Sequence, residues 1–310
     1  MPTTNNRVAV LGIFAADLTF RAERMPHPGE TLAGSGFNLS LGGKGSNQAI
    51  AAARAGADVT FISRIGRDAF GDNALAAWAR DGITPRVIRS ETEPTGAAFI
   101  FVDQASGENA IIVYAGAALL LSPDDVEAAR EAIEAASVFI TQLEQPIAAA
   151  KRGLEIARAA GVTTIFNPAP YLAFDEAIYA LSDYITPNET EASAMTGVAI
   201  TSVDDARAAG GMLLKRGVGA ALITLGAKGA LLHSADVSEL IPAFAAGPVV
   251  ETTGAGDAFN AGFASALARG LEPVSAAKFG SATAGISVTR AGAAPSMPMR
   301  DEIEALLARG

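Results

Sequence analysis

The chain has 310 residues, half of them hydrophobic and 18% charged, with a formal net charge of −10 and no cysteine. That composition supplies a sizeable core and excludes disorder, and the acidic balance excludes a sequence-independent grip on nucleic acid or acidic lipid, which needs clustered Lys and Arg. Disulfides and thiolate metal sites are excluded outright; the apolar runs are short and interrupted and the start has no signal-like apolar core, so a cytoplasmic protein with neither nucleic-acid nor membrane partners is expected.

Residues 7–14 (RVAVLGIF) read as a buried first strand, with Asp17 just beyond its C-terminal end, where ligands gather in open α/β sheets. From 19 to 41 there is no helical period, and Pro26, Pro28, Gly29, Gly34 and Gly36 break the segment into short extended pieces. A small-residue helix is predicted over 47–56 and a strand over 59–63. Residues 95–116 read as two strands joined by a polar turn at 104–109, a hairpin suited to pair with the first insertion. Regular alternation begins at Ser122, an N-cap followed by Pro123 at N1 and by Asp124 and Asp125 in the first turn. Strands over 138–143, 162–166, 184–186 and 220–225 then alternate with helices over 147–160, 203–216 and 258–269. This order predicts an α/β fold with a mostly parallel sheet covered on both faces.

Four motifs carry chemistry. In Gly254-Ala255-Gly256-Asp257, small residues run into a helix start, where backbone N–H groups and the helix dipole favour an anion and Asp257 is placed to engage a hydroxyl nucleophile. The same four residues also fit an ordinary helix N-terminus with a dipole-complementing Asp. GGKGSNQA (42–49) lacks P-loop spacing, so Lys44 and Asn47 are read as donors to sugar hydroxyls, beside a backbone that can approach closely at Gly43. TPNETE (186–191) follows a strand and offers Glu191 for Mg²⁺, which commonly takes one or two protein carboxylates, and Asn188 beside the nucleotide phosphates. Its acids also suit the first turn of a helix. LITLGAKG (222–229) is compatible with nucleotide ribose and phosphate contacts or with a plain hairpin turn. His27 and His233 have no ligand spacing and are read as surface or turn residues.

Taken in this order, the motifs closely resemble the ribokinase members of the PfkB carbohydrate kinase family. The resemblance runs along the whole chain: VLGxxxAD (Val10 with Asp17), PGET (28–31), GGKGSNQA, QLE (142–144), NPAP (167–170), TPNETE, GAGD and VTRxGAxPS (288–296). It implies a Rossmann-like αβα core, here 1–16, 42–94 and 117–310, with a small β-sheet lid from 17–41 and 95–116, and a homodimer formed through the lid. By matching position it implies Asp17, Gly43, Lys44, Asn47 and Glu144 as sugar contacts and Asp257 as catalytic base with the Gly254, Ala255 and Gly256 amides. Asn188, Thr224, Gly226, Gly229 and Gly256 become ATP contacts and Glu191 the Mg²⁺-linked carboxylate. A monovalent cation site, for K⁺, is implied at Glu251, Thr253, Ser287, Arg290, Gly292 and Ser296.

The expected reaction is phosphorylation of a pentose terminal hydroxyl by ATP, with ribose as first candidate. Three positions depart from the pattern. Ala15 and Ala118 stand where the family has Asn, removing amides near the sugar; one lost hydrogen bond to a buried hydroxyl costs about 1–3 kcal/mol, on the order of 10- to 100-fold in affinity. Deoxyribose therefore competes with ribose, beside other carbohydrate or nucleoside substrates. Glu251 replaces Asp at the cation site. A reading from another class is a catalytically idle sugar or nucleotide sensor.

Overall fold

The computed structural model describes residues 5–309. In chain order the strands are β1 (Arg7–Leu11), β2 (Ala15–Ala22), β3 (Gly36–Gly42), β4 (Asp58–Gly66), β5 (Thr84–Ser90), β6 (Thr95–Asp103), β7 (Asn109–Gly116), β8 (Val138–Thr141), β9 (Thr163–Phe166), β10 (Tyr184–Ile185), β11 (Ala220–Thr224), β12 (Ala230–Ser234) and β13 (Ser238–Ile241). The helices are α1 (Lys44–Arg54), α2 (Ala69–Arg80), α3 (Pro123–Glu127), α4 (Arg130–Glu134), α5 (Ile147–Ala159), α6 (Ala177–Ala180), α7 (Glu189–Thr196), α8 (Val203–Lys215), α9 (Ala255–Ala268), α10 (Pro273–Ser287) and α11 (Arg300–Leu307). No helix among the described residues is long and apolar enough to cross a membrane.

Nine strands form one sheet in the order β13-β12-β11-β10-β9-β8-β1-β4-β5, parallel from β11 to β5 and antiparallel at the β12–β13 edge. Both faces are covered. Along β1, Val8 and Val10 enter one apolar cluster while Ala9 and Leu11 enter the other, as the two-residue period of a strand buried on both sides requires. The other four strands form a separate small sheet, β3-β2-β6-β7, in which β2 and β6 run parallel and join the two strand-only insertions.

The apolar run at 7–14 does not make one strand. The chain leaves the large sheet after Leu11 and enters the small one at Ala15, so Asp17 stands on β2. Its cause is a close backbone approach at Gly12 and Gly45, where a Cβ on Gly45 would lie 2.7 Å from the Gly12 Cα. Both glycine-rich motifs are helix starts rather than loops ahead of helices. Helix α1 begins at Lys44, with Gly43 as N-cap at φ +83°, and α9 begins at Ala255, with Gly254 as N-cap at φ +77°. Such left-handed N-caps suit glycine.

Helix α1 is clamped from behind. The Trp78 indole donates to Ser46 Oγ at 3.0 Å and packs edge-on against Phe14 and Phe61. Helices α9 and α10 lie against one another through small residues, with Gly262 facing Thr283 and Gly280. Because α10 is apolar or small on nearly every side, it carries no amphipathic period, which is why the sequence pattern does not reveal it.

Gly45→Ala is expected to lower the free energy of denaturant unfolding by about 1–3 kcal/mol, because the methyl meets backbone that cannot move aside. Gly256→Ala, with nothing within 4 Å of the added Cβ, is expected to retain parental stability in the same measurement.

Candidate active site

The C-terminal ends of β1, β8, β9, β10 and β11 share one edge of the large sheet, and the segments following them meet the N-terminal ends of α1 and α9. On α1, Lys44, Asn47 and Gln48 have i, i+3, i+4 spacing and so share a helix face. The Lys44 backbone N–H donates to Glu144 Oε2 at 2.7 Å. Asp17 reaches this site from β2 across Gly42, where any Cβ would collide with its carboxylate. Burial pushes the Asp17 carboxyl up to about 6 and that of Glu144 up to about 7, the latter against the opposing pull of the Lys44 N–H and charge. Burial alone would lower the Lys44 ammonium, but Asp257, Glu144 and Glu191 outweigh it and raise its pKa. The five residues predicted to hold a sugar, Asp17, Gly43, Lys44, Asn47 and Glu144, therefore come together as an acid-rich cluster.

Asp257 lies in the first turn of α9 and is only 5% exposed. Asn47 Nδ2 donates to its Oδ2 at 3.0 Å and Gln48 Nε2 to its Oδ1 at 3.1 Å, so each carboxylate oxygen accepts one amide from α1. Burial raises the Asp257 pKa, opposed by the charge of Lys44 and by those two amides. Asn47 Oδ1 is buried with no protein partner, an acceptor left for a hydroxyl donor. Of the three amides predicted to cradle an anion, that of Ala255 is committed to Thr252 O at 3.1 Å, which leaves those of Gly254 and Gly256.

Beside Gly256 opens a cleft of about 490 Å³ lined by Thr224, Gly226 and Gly229, as well as by the segment from Ala243 to Gly247 and by Phe259. Three predicted nucleotide contacts thus share one cavity with the anion-binding turn. The 222–229 motif is also a hairpin: β11 and β12 are antiparallel, with a 3₁₀ turn over Gly226–Lys228. The 243–247 wall has no motif and was not legible in the sequence. A wider groove of about 810 Å³ behind that wall, between α10 and α11, is lined by none of the predicted site residues except Arg290, whose guanidinium pairs with Glu302.

Asn188 pairs with Thr224 as an isolated bridge and caps α7. Its Oδ1 accepts from the Glu191 N–H at 2.8 Å, and Glu191 Oε2 accepts from the Asn188 N–H at 2.8 Å. The helix-start reading of this motif is therefore realised, and one Glu191 oxygen is spent on it. Burial raises the Glu191 pKa, with Lys44 opposing.

The residues proposed for a monovalent cation come from the segment before α9 and the turn after α10, and several of their side chains are engaged within the protein. Glu251 Oε2 accepts from the Gly292 N–H at 2.9 Å, and the Ser287 and Ser296 hydroxyls donate to Ala284 O at 2.9 Å and Ala293 O at 2.7 Å. The Arg290 guanidinium pairs with Glu302. Glu251 thus spends Oε2 on the Gly292 N–H, which leaves Oε1 as the oxygen it could offer a cation. His27 lies in an exposed turn, whereas His233 is on β12, where its ring packs on Gly210 and Nδ1 meets Ser238 Oγ at 3.0 Å.

A glycine-rich helix start, a buried carboxylate in its first turn, a cluster of acids on one side and a cleft on the other are the parts a kinase of small hydroxyl compounds requires. The family model described as pfkB family carbohydrate kinase matches residues 5–300. The chain belongs to this family. It is 40% identical over 296 residues to a ribokinase of Haemophilus influenzae, covering 95% of this chain and 96% of that one. It is 34% identical to a deoxyribokinase of Salmonella typhimurium, covering 97% and 98%. The solved structure of Arabidopsis thaliana ribokinase complexed with ribose and ATP superposes with a TM-score of 0.91 at 32% identity, covering 97% of this chain and 98% of that one. As a PfkB carbohydrate kinase the chain is a phosphotransferase acting on a hydroxyl group.

Asp17 and Glu144 keep a proton in the folded chain at pH values where the unfolded chain has released it. The stability they contribute is full below about pH 4 and is lost as pH rises through about 6 and about 7. Melting of the ligand-free protein should therefore shift downward across that window, and Glu144→Gln should flatten the upper part of the fall. An unchanged slope in Glu144→Gln would contradict the assignment.

Proposed function

We propose that the protein transfers the γ-phosphoryl group of ATP to the terminal hydroxyl of a pentose. The observation that carries this reading is the buried Asp257 carboxylate, held on both oxygens by α1 amides, between the acid-rich cluster and the 490 Å³ cleft. Asp17, Gly43, Lys44, Asn47 and Glu144 hold the sugar, the carboxylates accepting hydroxyl protons and the amide and ammonium groups donating. The terminal O–H donates to Asp257, which takes the proton as the oxygen bonds to the γ-phosphorus and the bond to the ADP oxygen breaks. The Gly254 and Gly256 amides, at the positive end of α9, hold the phosphoryl oxygens as charge moves.

Thr224, Gly226, Gly229 and Asn188 lie along the ATP. Mg²⁺ supplies charge neutralisation on the phosphates, and the Glu191 oxygen not used in capping suits a water-mediated approach to it. Small-sheet strands β2 and β6 form a lid that excludes water from the sugar. The face of the small sheet opposite Asp17, which exposes Phe37 and Leu39 on β3 and Ile112 on β7, supports a homodimer through the lid. The absence of cysteine suits the cytoplasm.

Ribose is the first candidate and deoxyribose the second. The second is favoured by Ala15, buried on β2 opposite Gly42 and Gly96, and by Ala118, buried in the turn after β7, since neither offers a polar group to a sugar hydroxyl. ADP release measured over ribose, deoxyribose, other pentoses, hexoses and nucleosides, each in sodium and in potassium, decides among them and tests the cation site at the same time. Asp257→Asn should lower turnover by about 10²–10⁴-fold with sugar affinity largely kept; near-parental turnover would sink the mechanism. In sedimentation, Ile112→Lys should convert a dimer to monomer without loss of fold.

A further inference from the structure

We infer that Gln48 is a positioning residue that holds Asp257 in its reactive orientation and keeps it ionised. This rests on the kinase reading above and on Asp257 as its base. Gln48 is fully buried, as is Gln142, and neither is among the residues to which the motifs assign a role. Gln48 Nε2 donates both to Asp257 Oδ1 at 3.1 Å and to Asn167 Oδ1 at 3.2 Å, while Gln48 Oε1 accepts from Gln142 Nε2 at 2.5 Å.

The direction of the Gln48 amide is determined by its neighbours. Asn167 Nδ2 donates to Thr186 O at 2.8 Å, which turns Asn167 Oδ1 towards Gln48. Two acceptors, Asn167 Oδ1 and Asp257 Oδ1, then demand the Gln48 nitrogen. A flipped Gln48 would set three oxygens against one another, so its Oε1 must face Gln142. Gln142 reaches it because Gly12 has no side chain, since a Cβ there would collide with the Gln142 amide. The row continues on the other side, where Thr186 Oγ1 donates to Asn260 Oδ1 at 2.5 Å and Asn260 Nδ2 donates to Gly256 O at 2.9 Å. One polarised row of side chains therefore spans β8, α1, β9, β10 and α9, tying the base to the turn that binds the phosphoryl group.

The groups facing Asp257 from the packed elements are Lys44 on α1, Glu144 after β8 and Glu191 on α7. Lys44 favours the ionised form and the two glutamates oppose it. Asn47 and Gln48 are the only side-chain donors to this carboxylate among the described residues, so losing either lets burial raise its pKa further. A base must be ionised to accept a proton. Removal of the Gln48 donor therefore moves the acidic limb of the rate profile to higher pH.

The test is single-turnover phosphoryl transfer, at saturating ATP and pentose, followed against pH in the parent, Gln48→Met and Gln48→Glu. In Gln48→Met the midpoint of the acidic limb should move up by about one to two pH units, with slower transfer and little change in sugar affinity. Gln48→Glu keeps the volume and the acceptor for Gln142 but sets a second carboxyl against Asp257, so the pair shares a proton and the midpoint should move up as far or further. If Gln48→Met does not fold, Gln48→Glu carries the test alone. A midpoint equal to the parent's in the folded variants, at whatever rate, overturns the inference and leaves Gln48 a structural residue. A parent inactive on every sugar, or an active Asp257→Asn, would instead remove the underlying kinase reading.

Discussion

Placing a carboxylate at the start of α9, away from water, is the constraint on which the site depends. Burial disfavours the charged form that a base must have, and the fold offsets this with one ammonium, two side-chain amides and the helix dipole. All but the dipole come from α1. The two helix starts must therefore converge, and at Gly12, Gly43 and Gly45 the chain gives up side chains so that the start of α1 can close on the segment after β1. Trp78 and Ser46 brace α1 from the opposite side, so a packing contact far from any substrate helps to fix the distance to Asp257.

Charge in the ligand-free site is unbalanced. Asp17, Glu144, Glu191 and Asp257 surround the single Lys44, and burial holds all four carboxyls above their ordinary range. In the proposed reaction sugar hydroxyls would relieve this by donating to carboxylates that otherwise have too few donors, and this substrate class matches the acid cluster better than an anion would. In the proposed reaction the anion would enter on the other side, at the glycine amides and the cleft. The division into an acid-rich half and an amide-lined half, with Asp257 at the boundary, orders a hydroxyl nucleophile and a phosphoryl group without further charged residues.

In the turn after α10 a single side chain ties two loops together. Glu251 reaches the Gly292 N–H and binds the two flanking loops together by a hydrogen bond within the protein. Ala293, next in that turn, packs directly against Gly254, so the tie lies one residue removed from the phosphoryl-binding amides.

Much of this was legible in the sequence because spacing along the chain carries it. The α/β class follows from alternation, and the two strand-only insertions do pair through β2 and β6. The motifs holding Lys44, Asn47, Glu144, Asn188 and Asp257 mark segments that do converge, and the i, i+3, i+4 spacing that places Gln48 beside Asn47 was present to be read. What the sequence did not determine are relations across large separations. Gln48 meets Asp257 only when α1 and α9 are packed, the Ala255 amide is withdrawn by a turn with Thr252, and the wall at 243–247 acquires a role only from the cavity behind it. Local pattern encodes what a segment prefers to be, whereas the partner of a buried polar atom is decided by which elements close around it.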